Sequence, residues 1–354
     1  PIDGHAPMLE GMGLNAYRVA GAFSDHECST YEEVKQKLAT GMNILLRIGS
    51  AANNMDGVLR RIAEEKLPTR NMMFCTDDKH IEDIRREGHI NANARMAVAA
   101  GIDPIDAIKM ASYNAARAYG IRGVGAIAPG YKADMVLLED LKDFKVKQVI
   151  SRFGRPYTGE EQIPSPILPP QVFNSVRLPE ISKYDLALRC HVSAPVIKMI
   201  PHQLVTELVY RDVERDENGC FIPSEGMVKL AVIERHHATG SMAVGILEGL
   251  GIKHGAVAST VAHDSHNLVV AGDNDEDMLM AIESLRDCGG GYSVVSRGVV
   301  LARLPLPIAG LMTAAPVNDV LEIQQALLDA LYSLGAKRDS DPLSALSFMP
   351  LPVI

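Results

Sequence analysis

The sequence predicts an α/β protein: part of a (β/α)8 barrel with a small β subdomain, followed by a second α/β domain. Three observations support this prediction. Residues 1–120 alternate short apolar runs with segments of helical periodicity, as in a parallel sheet whose strands are joined by helices. Residues 121–160 lose that alternation, and residues 161–179 are rich in proline, as in a domain connector. Strand-like and helix-like segments resume over residues 180–354.

The first 120 residues hold the elements from which the C-terminal half of a barrel is predicted. The apolar runs at 42–48 and 71–75 are candidate buried strands. Residues 55–66 between them carry apolar side chains at the spacing of one helix face. Two more helices are predicted at 89–100 and 104–119.

The remaining segments predict two further units. Apolar runs at 135–138 and 146–153 indicate a small β subdomain within 121–160. Over 180–354 we expect strands at 204–210, 228–234, 256–261, 268–271, 292–296 and 299–304, and helices at 242–250, 276–287 and 317–334. The step Ser296-Arg297-Gly298 predicts a hairpin turn between the last two strands.

The composition is that of a globular protein without a nucleic-acid or membrane partner. A net charge of −9 argues against a nucleic-acid backbone or an anionic membrane surface as partner. The five cysteines are odd in number and form no close-spaced pair, which predicts a reducing cytoplasm. No apolar run approaches the length of a membrane span, and the N-terminus does not resemble a signal peptide. The apolar second domain is compatible with self-association into a homo-oligomer.

Three short motifs place metal-competent side chains after strand-like runs: DGHAP at 3–7, SDHE at 24–27 and CTDD at 75–78. The steps of 21 residues from His5 to His26 and 51 from His26 to Asp77 suit successive strand–helix units. Residues at the C-terminal ends of barrel strands converge on one mouth, and two imidazoles with one carboxylate suit zinc, manganese or iron. From spacing alone, an ordinary turn or a helix N-cap explains these motifs equally well.

Over nearly the whole chain the sequence resembles the adenine deaminases, metal-dependent hydrolases of the amidohydrolase superfamily. Besides the three motifs, the resemblance includes LLRIGSA at 45–51, EGHI at 87–90 and GAIAPGYKAD at 125–134. The last of these marks the superfamily alone. RHHATG at 235–240 and AHDSHN at 262–267 resemble adenine deaminase in particular.

The resemblance implies a reaction and a set of catalytic residues. Adenine would be hydrolysed to hypoxanthine and ammonia, a purine salvage reaction, by a metal-bound hydroxide. His5 and His26 would be metal ligands from the fifth and sixth barrel strands. Asp77 would be a ligand from the eighth strand and would also carry a proton from the water to the leaving group. The cofactor would be a divalent metal, Mn²⁺ or Fe²⁺ with Zn²⁺ as the alternative, in a binuclear site of the complete protein.

Further residues at the mouth are expected to act on the substrate. Glu27 follows a ligand directly, and we expect it to act in catalysis and to hydrogen-bond a purine ring nitrogen. Its alternative is a solvated or helix-capping carboxylate. Arg47 and Ser50 would orient the substrate, although Arg47 would serve equally well in a structural ion pair. Asp78 is expected to cap the following helix.

Loops of the second domain provide the remaining expected contacts with adenine: His237, Asp264, His266 and Asn267. We expect the loop at 263–267 to close over the barrel mouth. The alternatives are a hydrogen-bonded turn, which suits Asp, Ser and Asn, and a second metal site built from His237, His263 and His266.

One departure from the family concerns the start of the chain. The family carries a His-x-His pair on the first barrel strand, and no His-x-His occurs in these 354 residues. The chain begins with Pro1 at what resembles the fifth barrel strand, so we expect a fragment of a longer polypeptide. Two alternatives to adenine deamination stay open: a barrel amidohydrolase that cleaves a cyclic or acetyl amide, and a catalytically incomplete fragment.

Overall fold

A computed structural model divides the chain into two compact units, Pro1–Ser165 and Pro166–Ile354. The described residues are 1–50, 55–151, 155–157, 167–200, 206–224, 226–338 and 341–351, with Asn174 described by its backbone alone. Parts of three predicted segments lie outside them: 152–153 and 204–205 of two strands, and 161–166 of the connector. Within the described ranges, every helix falls short of the length and apolarity that a membrane span requires.

The first unit is built on a parallel sheet of four strands that lie side by side in chain order. The strands are β1 (Ile2–Gly4), β2 (Ala22–Asp25), β3 (Asn43–Arg47) and β4 (Met72–Cys75). The helices are α1 (Gly11–Val19), α2 (Tyr31–Ala39), α3 (Met55–Glu64), α4 (Ile81–Glu87), α5 (Ile90–Ala99), α6 (Pro104–Ala111) and α7 (Tyr113–Ala118). A parallel sheet in chain order, with a helix between successive strands, is the arrangement that a (β/α)8 barrel repeats. Closure into a barrel stays a prediction.

Burial explains why these segments fold as predicted. Ile44 and Leu46 alternate with more exposed residues along β3 and are completely buried. Leu59 and Ile62 of α3 belong to the same apolar core. The predicted strands at 42–48 and 71–75 and the predicted helix between them are therefore confirmed to within two residues at each end.

The segment predicted as one helix over 104–119 forms two helices, so that prediction was wrong. Helix α6 begins as expected, with the side chain of Asp103 accepting hydrogen bonds from the first turn. It ends at Ser112, where φ is −143° and ψ is −74°. The Ser112 hydroxyl donates to the carbonyl oxygen of Ile108 at 2.7 Å. Such local side-chain bonds compete with continuation of a helix.

A small antiparallel sheet occupies the region predicted as a β subdomain. Its three strands, in spatial order, are β5 (Met135–Leu138), β6 (Val146–Ser151) and β7 (Arg155–Pro156). The apolar runs therefore form strands as predicted.

The second unit is built on an eight-stranded, mostly antiparallel sheet. Its elements are β8 (Ser193–Met199), β9 (Thr206–Asp212), β10 (Met227–Ile233), β11 (Met242–Glu248), β12 (Ala256–Ser259), β13 (Leu268–Gly272), α8 (Asp275–Cys288), β14 (Gly291–Ser296), β15 (Val299–Pro305), α9 (Val317–Ser333) and α10 (Pro342–Phe348). The spatial order is β15-β14-β12-β13-β10-β11-β8-β9, and β8 runs parallel to β11.

Helices cover both faces of this sheet, so successive side chains along a strand enter two different apolar cores. On one face, Val257 shares a core with Leu327 and Leu331 of α9. On the other face, Ala258 shares a core with Ile282 of α8. Burial on both faces explains why these strands read as continuous apolar runs in the sequence.

Residues 242–250 were predicted as a helix, but 242–248 form strand β11, so that prediction was also wrong. All seven residues of β11 pair antiparallel with β10, from Met227 opposite Glu248 to Ile233 opposite Met242. A short, nearly continuous apolar run has no periodicity that separates a strand from a helix. Strand β8 and helix α10 were not predicted.

The hairpin predicted at Ser296-Arg297-Gly298 is confirmed. It joins the antiparallel strands β14 and β15, and φ is 50° at Arg297 and 74° at Gly298. Positive φ at both central residues is typical of the turn that matches strand twist. The buried carboxylate of Asp277 accepts hydrogen bonds from both of their backbone N–H groups, at 2.9 and 2.7 Å.

Candidate active site

Two imidazoles and a carboxylate meet at the carboxyl ends of β1–β4, the edge called the mouth below. His5 directly follows β1, and His26 and Glu27 directly follow β2. The His5 and His26 rings lie edge to face with their centroids 5.5 Å apart. One potential ligand atom from each of His5, His26 and Glu27 lies within 4.8 Å of the other two. No other set of three His, Cys, Asp or Glu side chains among the described residues comes so close together.

Asp3 orients His26, a role that the sequence-based assignment missed. Oδ2 of Asp3 lies 3.1 Å from Nδ1 of His26, and its Oδ1 accepts a hydrogen bond from the Ser24 hydroxyl at 2.5 Å. With the proton on Nδ1 donated to Asp3, the Nε2 lone pair faces Oε1 of Glu27, 3.6 Å away. Metal-binding histidines commonly donate their second N–H to a carboxylate in this way.

The close approach of β1 to β2 requires glycine at position 4. A Cβ on Gly4 would collide with the carbonyl oxygen of Ser24. Next to it, the backbone N–H of His5 donates to the hydroxyl of Tyr17 at 3.0 Å. Glycine in DGHAP therefore lets the two histidine-bearing strands pack at the distance the group needs.

Arg47 joins the two acidic residues of the mouth. Its Nη1 lies 3.1 Å from Oε1 of Glu27 and 2.9 Å from Oδ2 of Asp77. Burial works against the charged guanidinium, but the hydrogen bond with Asp77 and the charge of Glu27 outweigh it and raise the pKa of Arg47. Asp77 is thus held by Arg47 and lies outside the group formed by His5, His26 and Glu27.

The turn that presents Asp77 is fixed by two residues at the start of α5. The side-chain amide of Asn93 donates to the carbonyl oxygen of Cys75 at 2.9 Å, and Nε2 of His89 lies 3.1 Å from Oγ1 of Thr76. Asp77 itself has φ of 50°, in the left-handed region that Asp tolerates better than most residues. Asn93 was not singled out from the sequence.

Ser50 hydrogen-bonds at the start of α4. Its hydroxyl donates to Oδ2 of Asp83 at 2.5 Å and accepts from the backbone N–H of His80 at 2.8 Å. Helix α4 has His80 as its N-cap residue without a side-chain capping bond, so the expected cap by Asp78 was wrong. The Asp78 side chain packs where a Cβ on residue 49 would stand, which explains Gly49 in that motif.

Carboxylates dominate the electrostatics of the mouth. Burial, then the negative charge of Asp77 and less strongly those of Asp3 and Glu27, raises the pKa of the Cys75 thiol to about 12, with Arg47 opposing. Three acidic side chains that disfavour one more negative charge mark a region suited to a cation.

The four predicted binding residues of the second unit lie in two adjoining loops. One lies between β10 and β11 and three lie between β12 and β13: His237, and Asp264, His266 and Asn267. Nε2 of His236 lies 2.8 Å from the carbonyl oxygen of Ser265 and joins the two loops.

Glu234 organises the first of these loops. Its carboxylate accepts hydrogen bonds from the backbone N–H groups of Thr239, His237 and His236, at 3.0, 2.8 and 2.5 Å. These bonds, that of Thr239 foremost, lower the pKa of Glu234 to about 2.

The second loop is packed by its own histidines. The ring of His263 stacks on Phe348 with centroids 4.6 Å apart, and Nδ1 of His266 accepts from the backbone N–H of Ala262 at 3.3 Å. Burial, followed by the charge of His263, lowers the pKa of His266. His237, His263 and His266 do not bring three ligand atoms together, so the alternative of a second metal site is not formed in this structure.

Arg235 supports the second loop from the core. It is 1% exposed, and its guanidinium donates to the carbonyl oxygens of His266 at 2.5 Å and Thr260 at 3.4 Å. Burial lowers its pKa. The arginine of the RHHATG motif is therefore a structural residue in this unit.

Comparisons with known protein families match two separate parts of the chain. Residues 1–152, which carry His5 and His26, match the family model described as "Amidohydrolase family". Residues 203–354 match the model described as "Adenine deaminase C-terminal domain". The two matches together confirm the resemblance to adenine deaminases that the motifs indicated.

Curated relatives named adenine deaminase align with the whole chain. Identity is 46% with that of Nitratidesulfovibrio vulgaris strain DP4, 41% with that of Desulfatibacillum aliphaticivorans and 41% with that of Clostridium acetobutylicum. Each alignment covers 100% of this chain but only 62–63% of the relative, so the chain spans about 62% of the length of the relatives it matches. A solved β-aspartyl dipeptidase from Fervidobacterium islandicum AW-1 aligns at 16% identity over 42% of this chain and 45% of its own, with a TM-score of 0.33, too low to argue from.

Proposed function

We propose that this protein hydrolyses adenine to hypoxanthine and ammonia, as a cytoplasmic enzyme of purine salvage. The observation that carries the proposal is the group of His5, His26 and Glu27 at the ends of parallel strands, in a chain whose relatives are named adenine deaminase. The match over residues 203–354 favours adenine over a cyclic or acetyl amide. We propose that residues 1–120 form the C-terminal half of the barrel, 121–160 its small β subdomain, 161–179 a connector and 180–354 the second domain.

The residues at the mouth fit a divalent metal ion. Imidazole nitrogens and carboxylate oxygens form the mixed donor set that Mn²⁺, Fe²⁺ or Zn²⁺ accepts, and Asp3 holds the second nitrogen of His26 at 3.1 Å. His5 and His26 would hold the ion, with Asp77 as the third ligand that the sequence implies. Oε1 of Glu27 lies 3.7 Å from Nδ1 of His5 and 3.6 Å from Nε2 of His26. A bound ion would supply the Lewis acidity that activates water at neutral pH. We propose Mn²⁺ or Fe²⁺, in a binuclear site.

Two carboxylates are proposed to handle protons and substrate. Asp77 would accept a proton from the attacking water and deliver it to the departing amino group, which a base within hydrogen-bond reach can do. Glu27 would hydrogen-bond a ring nitrogen of adenine. In this structure Arg47 lies within 3.1 Å of both carboxylates and pairs with each of them.

The binding roles of the remaining predicted residues are proposals that the structure supports to different degrees. Ser50 already bonds to Asp83 and would have to exchange that partner to reach a substrate. His237, Asp264, His266 and Asn267 are proposed to contact the purine, and their support is that two joined loops present all four polar side chains.

The test is adenine turnover by the complete gene product loaded with Mn²⁺ or Fe²⁺, followed by ultraviolet absorbance and release of ammonia. We expect one ammonia per hypoxanthine, and loss of turnover on His26→Ala and on Asp77→Ala. His191→Ala, an exposed histidine outside both loops, is the control and should keep full activity. A folded, metal-loaded protein that leaves adenine unchanged would refute the proposal.

A further inference from the structure

A second polar cluster lies beside the metal-competent group and has no part in the proposed reaction. It consists of Lys37 and Glu33 on α2 and Asp25 at the end of β2, and we call it the clamp. The side chains of Lys37 and Asp25 are both completely buried, with Nζ 3.1 Å from Oδ2. Nζ also lies 3.7 Å from Oε1 of Glu33. Within the described part of the chain these two carboxylates are the only ionic partners of Lys37.

The clamp holds the segment that follows His5. Nζ of Lys37 donates to the carbonyl oxygen of Ala6 at 2.7 Å. Oε1 of Glu33 accepts a hydrogen bond from the backbone N–H of Met8 at 2.5 Å. Two helix side chains therefore fix the loop just after the first imidazole.

Two of these side chains, Asp25 and Glu33, also hold the segment that carries His26 and Glu27. Oδ1 of Asp25 accepts the backbone N–H of Glu27 at 2.6 Å. Oε2 of Glu33 accepts the backbone N–H groups of Ser29 and Thr30, each at 3.0 Å. The two loops that supply the metal-competent group are thus bound to one buried cluster.

Stability alone does not account for this cluster. Removing an ammonium and a carboxylate from water costs free energy, and replacing a buried ion pair by apolar side chains of similar volume is often neutral or stabilising. A fully buried ion pair between Lys37 of α2 and Asp25 of β2 therefore needs another explanation. Glu33 also forms the capping box of α2 with Thr30, which stabilises the helix itself. The other contacts provide the explanation, since the bonds to Ala6, Met8 and Glu27 each reach a loop at the mouth.

We propose that Lys37, together with Asp25 and Glu33, is a positioning residue that sets the distance between His5 and the pair His26–Glu27, and thereby the affinity of the site for a divalent ion. The inference rests on the metal site of the proposed function and is independent of which substrate that site serves. None of the clamp residues would touch the ion or the substrate.

The first test compares Glu33→Ala with Glu32→Ala by titration of the complete gene product with Mn²⁺. Glu32 is the preceding residue in the same helical turn, but its carboxylate pairs with Arg61 at 2.9 Å instead of with the loops. We expect Glu33→Ala to weaken Mn²⁺ binding about tenfold or more, the size of effect typical for outer partners of metal ligands, and Glu32→Ala to leave the dissociation constant unchanged. Equal affinity in the two variants overturns the proposal.

The second test uses Lys37→Met, which keeps most of the length of the unbranched side chain and removes its charge. Leu59→Ala serves as a control for general loss of stability, because it would leave a cavity in the apolar core of the first unit. We expect Lys37→Met to lose Mn²⁺ affinity while Leu59→Ala keeps it. A folded Lys37→Met variant with wild-type affinity overturns the proposal, and if that variant does not fold, the Glu33 and Glu32 pair decides. Because Mn²⁺ binding is measured without adenine, an inactive protein with clamp-dependent binding would refute the reaction and support the clamp.

Discussion

The carboxylate of Asp3 lies 3.1 Å from Nδ1 of His26, and this contact decides which nitrogen of the imidazole can face a metal ion. The two residues come from neighbouring parallel strands. In their register, Asp3 stands opposite Ser24, two residues before His26, and the Ser24 hydroxyl donates to the same carboxylate. Sheet register therefore brings an orienting carboxylate to the imidazole across the β1–β2 pair.

We expect Asp3→Ala to weaken Mn²⁺ binding by about 10–100-fold, because the imidazole of His26 loses the partner that fixes its tautomer and orientation. Isothermal titration of the complete gene product measures this. Asp56→Ala is the control, since Asp56 is exposed and pairs only with Arg60 one helical turn away among the described contacts. Unchanged affinity in Asp3→Ala would show that His26 is not oriented through Asp3.

Arg47→Gln should strengthen Mn²⁺ binding severalfold. The guanidinium places a positive charge 3.1 Å from Oε1 of Glu27, where it competes with an incoming dication. Arg60→Gln, which removes an exposed charge of α3, is expected to have no effect. Weaker binding in Arg47→Gln would mean that the guanidinium supports the ion through the position of Glu27 and Asp77 instead of competing with it.

The core between the second sheet and α9 should respond strongly to a cavity. Leu331 is completely buried there, so Leu331→Ala is expected to lower the free energy of unfolding by about 2–5 kcal/mol. Gln325→Ala, on the exposed side of the same helix, should change it by less than about 0.5 kcal/mol. Denaturant unfolding followed by circular dichroism separates the two. Similar midpoints for both variants would contradict the assigned core.

The carboxylate of Glu234 should make the stability of the second unit depend on pH. Its pKa is lowered to about 2 in the folded protein, from 4.5. The stabilisation is therefore complete above pH 4.5 and is lost as pH falls toward 2. Glu234→Gln is expected to be less stable than the wild type at pH 7, with a gap that narrows from pH 4.5 downward. Denaturant midpoints at pH 7, 4.5 and 3 measure the gap, and a gap that stays constant would contradict the assignment.

Local sequence patterns were enough to predict the segments whose apolar residues stand out clearly from their neighbours. Helix α3 was predicted because its apolar residues recur at helical spacing, and strand β3 because it lies in a short apolar run bounded by glycines. Strand β11 was not predicted, because its nearly continuous apolar run lacks the alternation that identifies a strand. The break at Ser112 was missed because it depends on a single side-chain bond to Ile108.

At the candidate site, local motifs identified some residues but not those whose roles depend on contacts distant in sequence. His5, His26 and Glu27 were singled out from local motifs, and the structure brings them together. Asp3 was overlooked because its role depends on the register of two strands, and Lys37 because a lysine on an amphipathic helix usually faces solvent. Contacts between segments far apart in sequence decide both roles.

The most direct test of the central claim is adenine turnover in ¹⁸O-labelled water by the Mn²⁺-loaded complete gene product, with mass spectrometry of the purine product. Hydrolytic deamination at the proposed site predicts hypoxanthine that carries one ¹⁸O atom per molecule, with ammonia released in equal amount, and no product from His26→Ala. Unchanged adenine, or hypoxanthine without the label, would contradict the proposed reaction.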